Sequence, residues 1–220
     1  KNKDFLCRDR ICQYWFFTGF FERLISFMDF EEAAVALIDE DQTGAIHEFF
    51  NELADFYDLV IGKLKQYFDI DMLLFHDDAG TQLAPFFSVR THREMIVPYL
   101  RRVAESCHKR GILMELHSCG KNQMLIENIV ATGADLWTPQ NNNDLDYLYE
   151  NYGDQIIFGI NADIKNISPA TPEEDIIASA RRFARKYGPH MEEKPVMSAS
   201  WAAPSLYTET LYEECRKFMG

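Results

Sequence analysis

Residues 113–120, LMELHSCG, start as an apolar run and end in histidine, cysteine and glycine. In a β-strand, successive side chains point to opposite faces, so Glu115, His117 and Cys119 are expected on one face. Polar residues at the carboxyl end of a buried strand, with a glycine for the turn, are typical of β/α barrels, which build their active sites there. The stretch therefore predicts a strand that enters a core and ends in a functional site.

Short apolar runs recur along the rest of the chain and predict further strands. Amphipathic segments with three- and four-residue apolar spacing lie between them and predict helices, most clearly at residues 47–68, 93–111 and 172–188. The six predicted strands cover residues 14–20, 71–77, 112–118, 134–139, 156–161 and 195–201.

Strands that alternate with helices indicate a parallel sheet, either doubly wound or closed into a barrel. No GxGxxG or GxxxxGK[ST] sequence follows any predicted strand, so nothing marks a nucleotide-binding site of the doubly wound class. The barrel is favoured. A closed barrel has eight strands in about 250 residues, whereas this chain has 220 residues and six predicted strands. We predict an α/β fold, a (β/α)8 TIM barrel incomplete at its amino terminus, in a single domain over residues 1–220.

Composition excludes several classes of protein. A hydrophobic content of 47% argues against disorder, and a formal net charge of −13 argues against nucleic acid as a partner. No apolar run reaches the length of a membrane span, and the amino terminus lacks the apolar core of a signal peptide. Five scattered cysteines fit reduced thiols better than a disulfide framework. These features predict a cytoplasmic chain without a membrane partner.

His117 and Cys119 together offer an imidazole nitrogen and a thiolate sulfur, which suit Zn²⁺. The alternative is that His117 hydrogen-bonds a loop and Cys119 is a small core residue. A catalytic zinc needs about three protein ligands and an open position. Other predicted strand ends also carry polar groups, which favours a site where the ends converge. These groups are His76, Asp77 and Asp78 after the second strand, and Asn161 and Asp163 after the fifth.

Four longer stretches resemble one protein family in the same order: LLFHDDAGTQLAPFFSVRTHREMIVPYLRRV, LMELHSCGKN, GADLWTPQ and FGINADIKNISPATPEEDI. Their sequence is similar to the uroporphyrinogen decarboxylase superfamily, and the HSCG part is similar to its corrinoid-dependent methyltransferases. The resemblance implies one β/α barrel, of which this chain is the carboxyl-terminal part. It also implies an enzyme that moves a methyl group between a small methylated substrate or thiol and a cobalamin carried by a separate corrinoid protein.

The resemblance also assigns residues. In the zinc methyltransferases of the superfamily, the positions of His117 and Cys119 bind zinc together with a late cysteine, which falls here at about Trp201. A carboxylate of those enzymes corresponds to Gln140. We expect Glu115, Asp78 and Asp77 to be catalytic. The expected substrate-binding residues are His76, Gln82, Gln140, Asn161, Asp163 and Trp201.

Two other functions fit the same resemblance. A decarboxylase of tetrapyrrole biosynthesis is one alternative, although decarboxylases of the superfamily carry a histidine where this chain has Trp201. A non-catalytic barrel that binds a corrinoid protein or a tetrapyrrole is the other, favoured by the loss of the third sulfur ligand. An open barrel exposes sheet edges, which predicts a homodimer. The remaining histidines, His47, His92, His108 and His190, are expected to be solvated or to cap helices.

Overall fold

The computed structural model describes residues 11–162, 171–199 and 203–218. The chain divides into two compact units, Lys1–Asp144 and Leu145–Gly220. The single domain expected from the sequence stays a prediction.

The first unit contains four parallel strands that pair in chain order. The second strand pairs with the third in a register that sets His76 beside His117. Because paired residues of parallel strands point to the same face, both imidazoles lie on one side of the sheet. The strands are β1 (Gln13–Phe16), β2 (Met72–His76), β3 (Leu113–Ser118) and β4 (Leu136–Pro139).

Helices separate these strands. The longest packs against the helix that precedes β3 and buries residues at three- and four-residue intervals, including Phe50, Tyr57 and Ile61. This spacing is that of one helix face, as the sequence predicts for residues 47–68. The helices are α1 (Phe20–Leu24), α2 (Phe30–Ala36), α3 (Thr43–Phe68), α4 (Val89–Met95), α5 (Val97–His108) and α6 (Ile126–Ala131), the last preceded by a 3-10 turn (Gln123–Leu125).

Among the boundaries that differ from the sequence prediction, two are explained by local backbone features. The helix predicted over residues 93–111 is two helices, α4 and α5, separated at Ile96. Pro98 has no N–H to donate and its ring clashes with the carbonyl four residues earlier, so a continuous helix is disfavoured there. The predicted first strand is too long, because β1 ends at Phe16 and Phe20 already begins α1. Thr18, at φ 67°, turns the chain between them.

The second unit contains β5 (Ile157–Ile160) and β6 (Val196–Ser198), which also pair in parallel. Its helices are α7 (Leu145–Tyr152), α8 (Glu173–Tyr187) with a 3-10 turn (Gly188–His190), and α9 (Ser205–Cys215), and α8 packs against α9. The helix predicted over residues 172–188 is confirmed.

All six predicted strands are present among the described residues, and a helix follows each of them. Every described strand pair is parallel. This arrangement confirms the predicted class, an α/β fold of six β/α units, two fewer than a complete eight-unit barrel. In the described part of the chain, no helix is both long enough and apolar enough to cross a membrane.

Candidate metal centre

Three side chains of types that can bind a metal meet at the carboxyl ends of β2 and β3. The Sγ atom of Cys119 lies 3.7 Å from Nε2 of His117 and 4.0 Å from Nε2 of His76. All three donor atoms lie within 4.8 Å of one another. The two imidazole rings are stacked, with their centroids 5.2 Å apart. The structure therefore supplies a third donor, His76, for the pair that the sequence predicts.

The spacing of these donors fits a zinc ion. Zinc–nitrogen bonds of about 2.0–2.1 Å and zinc–sulfur bonds of about 2.3 Å, at tetrahedral angles, place nitrogen and sulfur about 3.5 Å apart. The observed separations of 3.7 and 4.0 Å are close to that value. Two imidazoles and one thiolate also match the nitrogen and sulfur preference of Zn²⁺. Three protein ligands leave one coordination position for a substrate, as catalytic zinc sites require.

A backbone carbonyl holds the ring of His117. Its Nδ1 atom donates to the carbonyl oxygen of Thr138 at 2.7 Å, on β4. Burial lowers the pKa of His117, so the ring is neutral at neutral pH and Nε2 is unprotonated. A hydrogen bond from the other ring nitrogen to a carbonyl is the usual support of a metal-binding histidine. His117 is thus held in the tautomer that binds a metal through Nε2.

Carboxylates surround the ring of His76. Its Nδ1 atom donates to Oε2 of Glu22 at 2.9 Å, and Nε2 lies 3.2 Å from Oδ1 of Asp78. Burial alone would lower the pKa of His76, but the hydrogen bonds to Asp78 and Glu22 raise it to about 11. When no metal is bound, the ring is therefore protonated as an imidazolium. Metal binding at Nε2 would release the proton on that nitrogen.

Cys119 and Asp78 form the other side of the cluster. The backbone N–H of Cys119 donates to Oδ1 of Asp78 at 2.7 Å. Burial raises the pKa of the Cys119 thiol, whereas coordination to a cation would deprotonate it. Burial also acts to raise the pKa of Asp78, but hydrogen bonds from His76 and Cys119 lower it to about 2. Asp78 is thus ionised at neutral pH and is a weak base, and its catalytic role stays a prediction.

A family model described as "Uroporphyrinogen decarboxylase (URO-D)" matches residues 29–192 of the chain, which is more than half of its length. The chain belongs to the URO-D family. This membership confirms the predicted superfamily. No curated protein sequence matches the chain significantly.

Comparison with solved structures finds the dihydropteroate synthase of Xanthomonas albilineans, determined with 4-aminobenzoic acid. It is 12% identical in sequence to this URO-D family chain, with a TM-score of 0.40. The match covers 68% of this chain and 50% of the synthase chain, so this chain spans half the length of that structure.

Glu115 of this URO-D family chain lies below the metal donors on β3 and is fully buried. Its carboxyl group accepts hydrogen bonds from the hydroxyl of Thr138 at 2.5 Å and from the amide of Gln13. Burial raises its pKa, which favours the protonated acid. Both Glu115 and His117 contact Thr138, so they share a face as the alternation predicts. The catalytic role of Glu115 stays a prediction.

Asp77 has a different environment from its neighbours in the HDD sequence. Its carboxylate accepts hydrogen bonds from the backbone N–H groups of Phe20, Phe21 and Glu22, at 2.8, 3.1 and 3.0 Å. Burial raises its pKa to about 7 against the effect of these bonds. Asp77 therefore anchors the start of α1, and its catalytic role stays a prediction.

The predicted substrate-binding residues separate into three groups. Gln82 and Gln140 meet at the rim, where Oε1 of Gln140 accepts from Nε2 of Gln82 at 3.3 Å and from the N–H of Gly120 at 2.9 Å. Gln140 thus supports the turn after Cys119. Asn161 follows β5 in the second unit. Asp163 and Trp201 lie outside the described residues.

Two supporting residues were missed by the sequence reasoning. Thr138 could have been considered, because it is a polar residue in the predicted strand over residues 134–139. Glu22 could not, because it reaches His76 through α1, whose position depends on the long-range contact with Asp77. No local pattern around Glu22 indicates that contact.

Proposed function

We propose that this chain belongs to a zinc-dependent methyltransferase that moves a methyl group between a small methylated substrate or thiol and a corrinoid (cobalamin) carried by a partner protein. The observation that supports this proposal is the convergence of His76, His117 and Cys119 within zinc-binding distance of one another. Bound zinc would depress the pKa of a substrate thiol or polarise an ether oxygen.

The two directions of transfer place different demands on protons. When a thiol accepts the methyl group, the thiol loses its proton to solvent, because bound zinc would lower the pKa of the thiol and the Asp78 carboxylate, with a pKa of about 2, is a weak base. When an ether donates the methyl group, its oxygen keeps the bonding electron pair and must gain a proton. Glu115, whose pKa is raised by burial, is the acid that can supply that proton. The pKa values of the two carboxyl groups are thus shifted in opposite directions.

The same charges disfavour tetrapyrrole decarboxylation, the alternative activity of the family. A substrate with several carboxylates is best held by cationic side chains such as arginine. The side chains that contact His76 instead include the carboxylates of Glu22 and Asp78, which would repel such a substrate.

Zinc content tests the proposal directly. We expect about one zinc per chain by elemental analysis of the purified protein, and loss of that zinc in the His76→Ala and Cys119→Ala variants. Cys12→Ala is the matched control, because Cys12 precedes β1 at the opposite ends of the parallel strands and should leave zinc unchanged. A native protein without zinc would overturn the zinc part of the proposal.

Activity separates the two family reactions. We expect demethylation of methylcobalamin by a small thiol, followed by cobalamin absorbance, to proceed with the native protein and to fall at least 100-fold in Cys119→Ala. The corresponding assay with uroporphyrinogen should release no carbon dioxide. Carbon dioxide release without methyl transfer would show that the protein is a decarboxylase and would reject the proposed methyltransferase.

A further inference from the structure

One side-chain contact holds the Nδ1 atom of the third metal donor. Nδ1 of His76 donates to Oε2 of Glu22 at 2.9 Å, and only 13% and 18% of these two side chains are exposed. An imidazole that binds a metal through Nε2 must carry its proton on Nδ1. A carboxylate that accepts this proton fixes both the tautomer and the direction of the ring.

The chain fixes Glu22 firmly in this position. Phe20 and Phe21 are fully buried at the start of α1, and the carboxylate of Asp77 accepts the N–H groups of all three residues from Phe20 to Glu22. Asp77 follows His76 directly in the chain. The end of β2 therefore carries both the metal donor and the group that anchors its support.

The two histidines differ in how they are held. The acceptor for Nδ1 of His117 is a backbone carbonyl, which no side-chain substitution removes. The acceptor for Nδ1 of His76 is a side chain that can be replaced. Without Glu22, the remaining acidic contact of His76 is Asp78 at Nε2, which competes with a metal for that nitrogen.

We propose that Glu22 is a positioning residue of the metal centre, holding Nδ1 of His76 so that Nε2 completes a three-donor set with His117 and Cys119. This inference rests on the zinc site of the proposed function. In this arrangement Glu22 contacts the metal ligand His76 and is not one of the three donors. Its negative charge also increases the basicity of the imidazole it supports.

Zinc affinity and the Co²⁺ spectrum test this role without measuring turnover. The metal-free protein is titrated with zinc against a chromophoric chelator, and separately with Co²⁺, whose absorption bands report the number of ligands and the thiolate. Loss of a supporting partner typically weakens metal binding by about 10- to 100-fold. We expect the larger loss of zinc affinity in Glu22→Ala. The loss should be smaller in Glu22→Gln, whose amide oxygen can still accept a hydrogen bond from Nδ1 of His76.

Two controls separate positioning from general damage to the fold. Glu48→Gln removes a carboxylate from the exposed face of α3 and should leave zinc affinity unchanged. His76→Ala supplies the second corner of a double-mutant cycle. If Glu22 acts through His76, adding Glu22→Ala to His76→Ala causes no further loss of affinity.

The outcomes are distinct. Equal zinc affinity in Glu22→Ala and the native protein would overturn the positioning role, as would an additive loss in the double variant. A third outcome is that the native protein binds zinc, the Glu22→Ala variant binds zinc more weakly, and the native protein transfers no methyl group. This outcome would reject the methyltransferase and leave the role of Glu22 intact.

Discussion

Gly120 and Gly80 cross in backbone contact: a Cβ atom built on Gly120 would lie 2.4 Å from the carbonyl carbon of Gly80. The crossing joins the loops that follow β2 and β3, and the N–H of Lys121 donates to the carbonyl of Thr81 beside it at 2.8 Å. It thereby brings Asp78 against the backbone of Cys119. The metal donors converge because two glycines let these loops approach.

Substitution of Gly120 tests this crossing. Gly120 has φ +105°, which side chains disfavour, and its added methyl group would collide with backbone. We expect Gly120→Ala to reduce the free energy of unfolding by about 2–5 kcal/mol, from conformational strain and overpacking together. Gly44→Ala is the control, because nothing lies within 4 Å of its Cβ position on α3, and it should gain about 0.5–1 kcal/mol. Urea unfolding measures the free energy of unfolding of both variants. Similar changes in the two variants would contradict the close contact between Gly120 and Gly80.

His92 should make stability depend on pH. It is buried, stacks on Phe87 and accepts a hydrogen bond at Nδ1 from the Asn128 amide at 3.2 Å. Burial lowers its pKa to about 4, whereas an unfolded histidine has a pKa of about 6.5. The unfolded chain therefore binds the proton first, and stability falls as pH drops from about 6.5 to 4.

The expected loss from this one group is about 2 kcal/mol at pH 5 relative to pH 7.5. Urea unfolding at both pH values measures it, with His92→Phe as the reference that lacks the titrating group. The pH-dependent loss should be about 2 kcal/mol smaller in the variant. The same pH dependence in both proteins would show that His92 does not titrate as its burial implies.

Local sequence patterns predicted what depends on the chain's own periodicity. The alternation in LMELHSCG placed Glu115, His117 and Cys119 on one face, and the contacts of Glu115 and His117 with Thr138 agree with it. The apolar runs also located all six strands. These features follow from strand geometry and need no knowledge of the neighbours.

Long-range contacts explain what was missed. His76 was expected to bind substrate, and its place as third donor depends on the register of β2 against β3. His92 was expected to be solvated or to cap a helix, but tertiary packing buries it beside Phe87. The contact of Asp77 with the start of α1 was not foreseen, because no local pattern shows that α1 begins at its carboxylate. Propensity and periodicity do not encode such contacts.

Association of the chain is a further prediction. Tyr14, on β1, and Ile11, two residues before β1, are 39% and 66% exposed. Within the described residues of the first unit, β1 pairs with β2 alone. Apolar residues on such a strand favour pairing with a second copy, whereas a charged residue blocks it. We expect a dimer by light scattering at micromolar concentration and a monomer in Tyr14→Lys. Leu83→Lys, on an 86% exposed loop position, should stay dimeric, and a monomeric native chain would contradict the prediction.

The hydroxyl and the carbonyl of Thr138 have separable roles. Its hydroxyl donates to the buried carboxyl of Glu115, and its carbonyl accepts from His117. Thr138→Val removes only the hydroxyl and leaves a buried carboxyl oxygen without this bond, which costs about 1–3 kcal/mol of unfolding free energy. Because the carbonyl is retained, zinc binding should change less than threefold. Thr138→Ser, which keeps the hydroxyl, should lose less unfolding free energy than Thr138→Val. Urea unfolding and zinc titration of the two variants measure the two roles, and a parallel fall in stability and zinc affinity would show that Glu115 and the metal donors form one inseparable network.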